Sequence, residues 1–127
     1  MTKQELHTER APAAVGPYSQ GIATGRLVFT SGQLPMTEGE LITDDVAKAA
    51  RASLENVAAI LEAGQAVLSD VVKVTIFLKD MNDFAAVNAV YGEFFPEPFP
   101  ARSCIEVARL PLDAILGIEA VAYIDDR

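Results

Sequence analysis

Between Asp44 and Gly64 the apolar positions step by three and four. Val46, Ala50, Leu54, Val57 and Leu61 recur, with Ala49, Ser53 and Ile60 alongside. That period predicts one buried stripe of an amphipathic helix, with Thr43 or Asp44 able to cap its start and Gly64 its end. A second stripe, Phe84, Val87, Val90 or Tyr91, and Phe94, predicts a helix over "FAAVNAVYGEFF". Asn82 or Asp83 can cap it, and "PEPFP" must break it. Elsewhere the pattern shortens to that of strands. "SQGIATG" and "RLVFTSGQLP" read as two strands joined by a tight turn at Thr24 and Gly25, with a further turn at "MTEGE". "DVVKVTIFLKD" is dense in Val, Ile and Phe and reads as a central strand covered on most of both faces. "FPARSCIEVARLP", residues 99–111, holds another strand, and "AILGIEAVAYID" the last.

The order β-β-α-β-α-β-β predicts an α+β layer domain, with two helices on one face of a mixed sheet. The other face would be too apolar for water unless it met another copy, so an oligomer is expected. Over 102–108, Arg102, Cys104, Glu106 and Ala108 point one way and Ser103, Ile105 and Val107 the other. The second set suits the side under the helices. Arg102 and Cys104 are therefore expected on the open face or at an interface.

Length changes the picture little: 127 residues suit a single domain, 1–127, with residues 1–11 polar and loosely held. Half the residues are hydrophobic and the mean hydropathy is +0.23, which fits a packed globule. The charge changes it more. Eighteen acidic residues against ten basic give −8, which disfavours a polyanionic partner, since nucleic-acid affinity rests on Lys and Arg neutralising phosphates. No apolar run reaches the ~18 residues that span a bilayer, and "MTKQELHTERAPAAVG" lacks a signal-type apolar core. A cytoplasmic protein without a membrane partner is the expectation.

The candidate chemistry is sparse. Cys104 is the only cysteine and His7 the only histidine, and His7 sits in the polar N-terminal stretch. A Cys-His nucleophile pair and a metal-ligand spacing are both disfavoured, and there is no GxGxxG or P-loop pattern. Residue by residue, a lone Cys is usually a small buried hydrophobe, a strand-start Arg usually a solvated or paired side chain, and Tyr18 after Gly16-Pro17 a packed aromatic.

Five separated blocks say more together. "APAAVGPYSQG", "LVFTSGQLP", "SLENVAAILEAG", "DVVKVTIFLKDMNDFAAVNAVYGEFF" and "FPARSCIEVARLP", in this order, resemble the RidA/YjgF family of reactive-intermediate deaminases. Members also carry the names endoribonuclease L-PSP and translation initiation inhibitor. The likeness runs from about Ala11 to Tyr123. It implies a chorismate-mutase-like protomer in a homotrimer with a central barrel. It further implies cofactor-free hydrolysis of 2-imino and 2-enamino acids, such as 2-aminoacrylate, to 2-keto acids and ammonia in clefts between subunits.

By the same resemblance Arg102 is the substrate arginine, able to hold a carboxylate by two charge-assisted hydrogen bonds. Cys104 contributes mainly its backbone amide, Tyr18 lines the pocket, Ser31 and Gly32 lie beside the substrate, and Asn88 sits near the cleft. One position departs. Where the family commonly reads "IEIEA", with a first glutamate that helps hold the attacking water, this chain reads "LGIEA", with Gly117 there and Glu119 two residues along. That step displaces a carboxylate by roughly 6 to 7 Å. A small-carboxylate-binding trimer without turnover, and a ribonuclease or translation-inhibitor role, are the alternative readings.

Overall fold

The computed structural model describes residues 2–125. Eight strands and two helices follow one another as β1 (Gln4–Leu6), β2 (Gly21–Thr24), β3 (Leu27–Thr30), β4 (Met36–Thr37), β5 (Glu40–Leu41), α1 (Val46–Ala63), β6 (Val71–Leu78), α2 (Phe84–Phe94), β7 (Ala101–Glu106) and β8 (Leu116–Tyr123). Six strands make one sheet in the order β1-β2-β3-β8-β6-β7, and β4 and β5 form a separate small hairpin. The β6–β7 pair is parallel and the other neighbours are antiparallel. The mixed α+β sheet and the order of its main elements therefore agree with the sequence pattern.

Helices and sheet share one core. Leu54, Val57 and Leu61 of α1 and Val87 and Val90 of α2 pack with Val28, Val74, Ile76, Leu78, Leu116, Ile118 and Ala120 of the sheet. In β6 and β8 the buried residues alternate with Lys73, Thr75, Phe77, Glu119 and Val121, which turn to the other face. On that open side Phe29, Ile105 and Tyr123 remain exposed.

Three expectations need correction. Residues 4–6, expected to be loosely held, form β1 on the sheet edge, with Leu6 buried. The arm that follows is fastened by the buried Gln20, whose Nε2 donates to the carbonyls of Thr8, Ala11 and Pro12 while its Oε1 accepts from the Thr8 N–H. Composition alone could not show this, because a polar arm can be held by one buried amide.

The helix starts also shift. Asp45, in extended conformation, caps α1 by accepting from the Lys48 N–H at 3.1 Å. Before α2 the chain makes a 3-10 turn over Met81–Asp83, capped by Asp80, so Asp83 already has helical angles and its side chain caps nothing.

The third correction concerns β7. Arg102 and Cys104 face the helix layer, while Ile105 is exposed on the open side. Both sheet faces are apolar, so hydrophobicity did not distinguish them; α2 presents an aromatic and amide surface that accepts a guanidinium.

Candidate active site

The sequence-derived site residues separate into two groups, one on each face of the sheet. On the helix side, the Arg102 Nη1 donates to Asn88 Oδ1 at 2.7 Å. Its guanidinium carbon stands 4.8 Å from the Tyr91 ring centre and 5.5 Å from that of Phe84. Phe84, Asn88 and Tyr91 are spaced i, i+4 and i+7, so one stripe of α2 supplies all three. Among the described residues Arg102 forms no ion pair. A half-buried cation without a carboxylate partner, and with guanidinium donors left over, suits an anionic ligand.

Cys104 follows on the same strand face and packs partly buried against the core. Burial pushes its thiol pKa up, partly offset by the nearby Arg102 charge. The side chain is thus a neutral thiol at physiological pH. Its amide is the better placed group. The Val107 N–H donates to the Leu78 carbonyl across the β6–β7 pair. Alternation along β7 then turns the N–H groups of Arg102, Cys104 and Glu106 to the outer edge of the sheet. Glu106 accepts from the Met81 N–H at 2.8 Å and ties the start of α2 to this strand.

The second group lines a cleft of about 1240 Å³ on the other face, bordered by Tyr18, Ser31, Gly32, Phe77, Val107, Leu110 and Gly117 among others. A bulge shapes its floor. β3 pairs with β8 at Phe29 and Val121, and pairing resumes at Gln33 and Ile118. Thr30, Ser31 and Gly32 thus stand opposite Glu119 and Ala120, three residues against two. The Ser31 hydroxyl donates to the Ser19 carbonyl at 2.6 Å, which fixes the bulge to the Tyr18 turn.

Gly32 leaves its backbone open, and a β-carbon there would approach only Glu119 Oε1, at 3.9 Å. Glu119 therefore sits beside the bulge. Gly117, one step along the same face, would place a β-carbon at 3.7 Å from both Leu34 and Leu110 and at 3.8 Å from the Gln33 carbonyl oxygen, so two leucines and one backbone carbonyl form the floor at that point. Tyr18 is half exposed at the rim, its hydroxyl accepting weakly from the Val15 N–H at 3.4 Å.

Three cleft supports were not singled out from the sequence. Gln20 holds the arm above the cleft, and Asn56, buried on α1, donates to the carbonyls of Leu34 and Met36. Arg109 lines the cleft as its nearest basic residue beyond the arm. Position in "QG" or "EN" pairs carries no signal for the first two, but Arg109 shares the block that holds Arg102. Among the described residues no group of three or more His, Cys, Asp or Glu stands together as a metal site. Nor is any described helix long and apolar enough to cross a membrane.

Comparison with known proteins gives this arrangement a family. A protein of the RutC family from Haemophilus influenzae is 57% identical over 128 residues, covering 96% of this chain and 98% of its own. The 2-iminobutanoate/2-iminopropanoate deaminase of Salmonella typhimurium is 56% identical over 121 residues, covering 92% and 94%. Among solved structures, E. coli TdcF with bound serine superposes with a TM-score of 0.89 at 50% identity, covering 94% of this chain and 98% of TdcF. The endoribonuclease L-PSP profile matches residues 8–124, and the chain belongs to that family, the RidA/YjgF group its sequence resembles.

Proposed function

We propose that the protein hydrolyses 2-imino and 2-enamino acids, such as 2-aminoacrylate, to 2-keto acids and ammonia, without a cofactor and in clefts shared between subunits of a homotrimer. The observation that carries this reading is Arg102: half-buried, oriented by Asn88, without a carboxylate partner among the described residues, and next to the outward-turned Cys104 amide. Relatives at 56% identity bear the name of an imine deaminase, and TdcF binds a small amino acid.

In this reading the guanidinium and the Cys104 N–H take the substrate carboxylate. An enamine first tautomerises to its imine, whose carbon is already electrophilic. Water adds to that carbon, the nitrogen gains protons, and the carbinolamine collapses to a ketone and ammonia. Holding the imine beside one water supplies much of the acceleration through proximity. Tyr18, Ser31 and Gly32 line the reacting end, with Glu119, whose Oε1 lies beside Gly32, as a carboxylate able to hold the water.

The trimer enters because Arg102 and the cleft lie on opposite faces of one sheet. A single chain does not bring them together, whereas a neighbour packing its open face into a shared barrel would. Gly117 favours a second reading, a carboxylate-binding trimer without turnover, because it removes a side chain from the cleft floor. A ribonuclease role is disfavoured by the −8 charge.

The test couples an amino-acid oxidase or threonine dehydratase to the protein and follows imine decay as the semicarbazone. Faster decay that depends on Arg102 is the expected result. No acceleration with any side chain would leave the binding reading in its place.

A further inference from the structure

Phe84 and Tyr91 belong to the same stripe of α2 as Asn88, and both rings stand against the central charge of the site. Their ring centres stand 5.5 and 4.8 Å from the Arg102 guanidinium carbon, and Asn88, between them on the same stripe of α2, accepts from Nη1. The stack continues inward, since Tyr91 lies 4.6 Å from Phe95 at an interplanar angle of 36°. The Tyr91 hydroxyl is buried without a hydrogen-bond partner among the described residues, so its ring is the part in use. Phe84, by contrast, is 37% exposed, more than a residue kept for core packing requires. Both rings present their π-faces to a cation that has no anionic partner among the described residues.

From this geometry we propose that Phe84 and Tyr91 are positioning residues, forming an aromatic clamp that fixes the plane of Arg102 before a carboxylate binds. The inference rests on the reading of Arg102 as the substrate anchor. A guanidinium is flat and stacks, whereas an ammonium is a strongly hydrated point charge, so the clamp selects arginine over lysine here. With Nη1 held by Asn88 and the plane held by the rings, the remaining donors meet a carboxylate with little rotamer entropy left to lose.

The test compares imine hydrolysis by Phe84→Leu, Tyr91→Leu and Arg102→Lys, with Phe84→Trp and Tyr91→Phe as variants that keep a ring. Phe84→Leu should raise KM about threefold and Tyr91→Leu about tenfold, with kcat changed much less, since the clamp acts on carboxylate capture. The ring-keeping variants should restore KM, and Phe84→Leu should melt at the wild-type temperature. A KM unchanged in Phe84→Leu, or a loss in Tyr91→Leu that Tyr91→Phe fails to repair, would overturn the clamp. If the wild type hydrolyses no imine, the same variants are ranked by their Kd for 2-oxobutanoate. There, equal affinities would overturn the clamp, and absence of binding by the wild type would remove Arg102 as an anchor and the clamp with it.

Discussion

On the helix side of the sheet, Val74, Ile76, Leu116 and Ile118 are sealed from solvent beneath α1 and α2. On the opposite side Phe29, Ile105 and Tyr123 stand 39–45% exposed, with Lys73 and Thr75 among them. The two faces are comparably apolar but meet different partners. The covered face holds the fold together by burial, and at its edge it also shelters one cation. The open face carries the cleft, and among the described residues no helix layer covers it. The core lies on one side of the sheet and the cleft on the other, and substitutions on the two sides should report different things.

The largest effect should come from the covered face. Ile118→Ala removes a fully buried side chain and should cost about 3 kcal/mol of unfolding free energy, seen in a denaturant melt. Ile105→Glu, on the open side, should leave the circular dichroism of the chain intact but lower its mass by light scattering. An unchanged oligomer would separate the open face from assembly.

Next in size is Arg102→Ala. Losing two charge-assisted hydrogen bonds to the substrate should cut imine hydrolysis about 100-fold while circular dichroism shows the chain still folded. Unchanged turnover would remove Arg102 from the mechanism.

How much of this division was legible beforehand differs from residue to residue. The helical stripe from Val46 to Leu61 has a strong period, and the structure follows it. Arg102 and Asn88 emerged from the family resemblance and do stand together, at 2.7 Å. Alternation puts Arg102 and Cys104 on the wrong face, because Ile105 and Val107 are as apolar as any core pair and sequence does not reveal which face α2 covers. The bulge at Ser31 and Gly32 and the Gln20 fastening depend on pairing between distant segments, which no local pattern records. The clamp was half visible. The period puts Phe84 and either Val90 or Tyr91 on one stripe, but as core and not as a seat for a cation.

Two smaller effects sharpen the comparison. Gly117→Glu restores a carboxylate to the cleft floor, where a β-carbon meets nothing nearer than 3.7 Å, and should raise imine hydrolysis about tenfold. No gain would mean that the water is held by another group. The smallest change concerns Cys104. Because burial raises its thiol pKa above the usual 9.0, the folded chain disfavours the thiolate. Alkylation by iodoacetamide should therefore be slow at pH 7 and reach its plateau rate at higher pH than in the unfolded chain. The same shift makes the fold slightly less stable as pH rises past 9, where the unfolded thiol ionises first. Rapid labelling at pH 7 would instead reveal a thiolate.

The central claim is that Arg102 and the cleft are halves of one site completed by a second copy, and subunit mixing tests it most directly. Arg102→Ala disables one half, and Gly32→Leu blocks the other by filling the space beside Glu119. Each variant alone should be inactive in imine hydrolysis. Refolded together in equal amounts, they should recover about a quarter of wild-type activity, since one interface in four would pair two intact halves. A mixture as inactive as its components would contradict the account and place the whole site within a single chain.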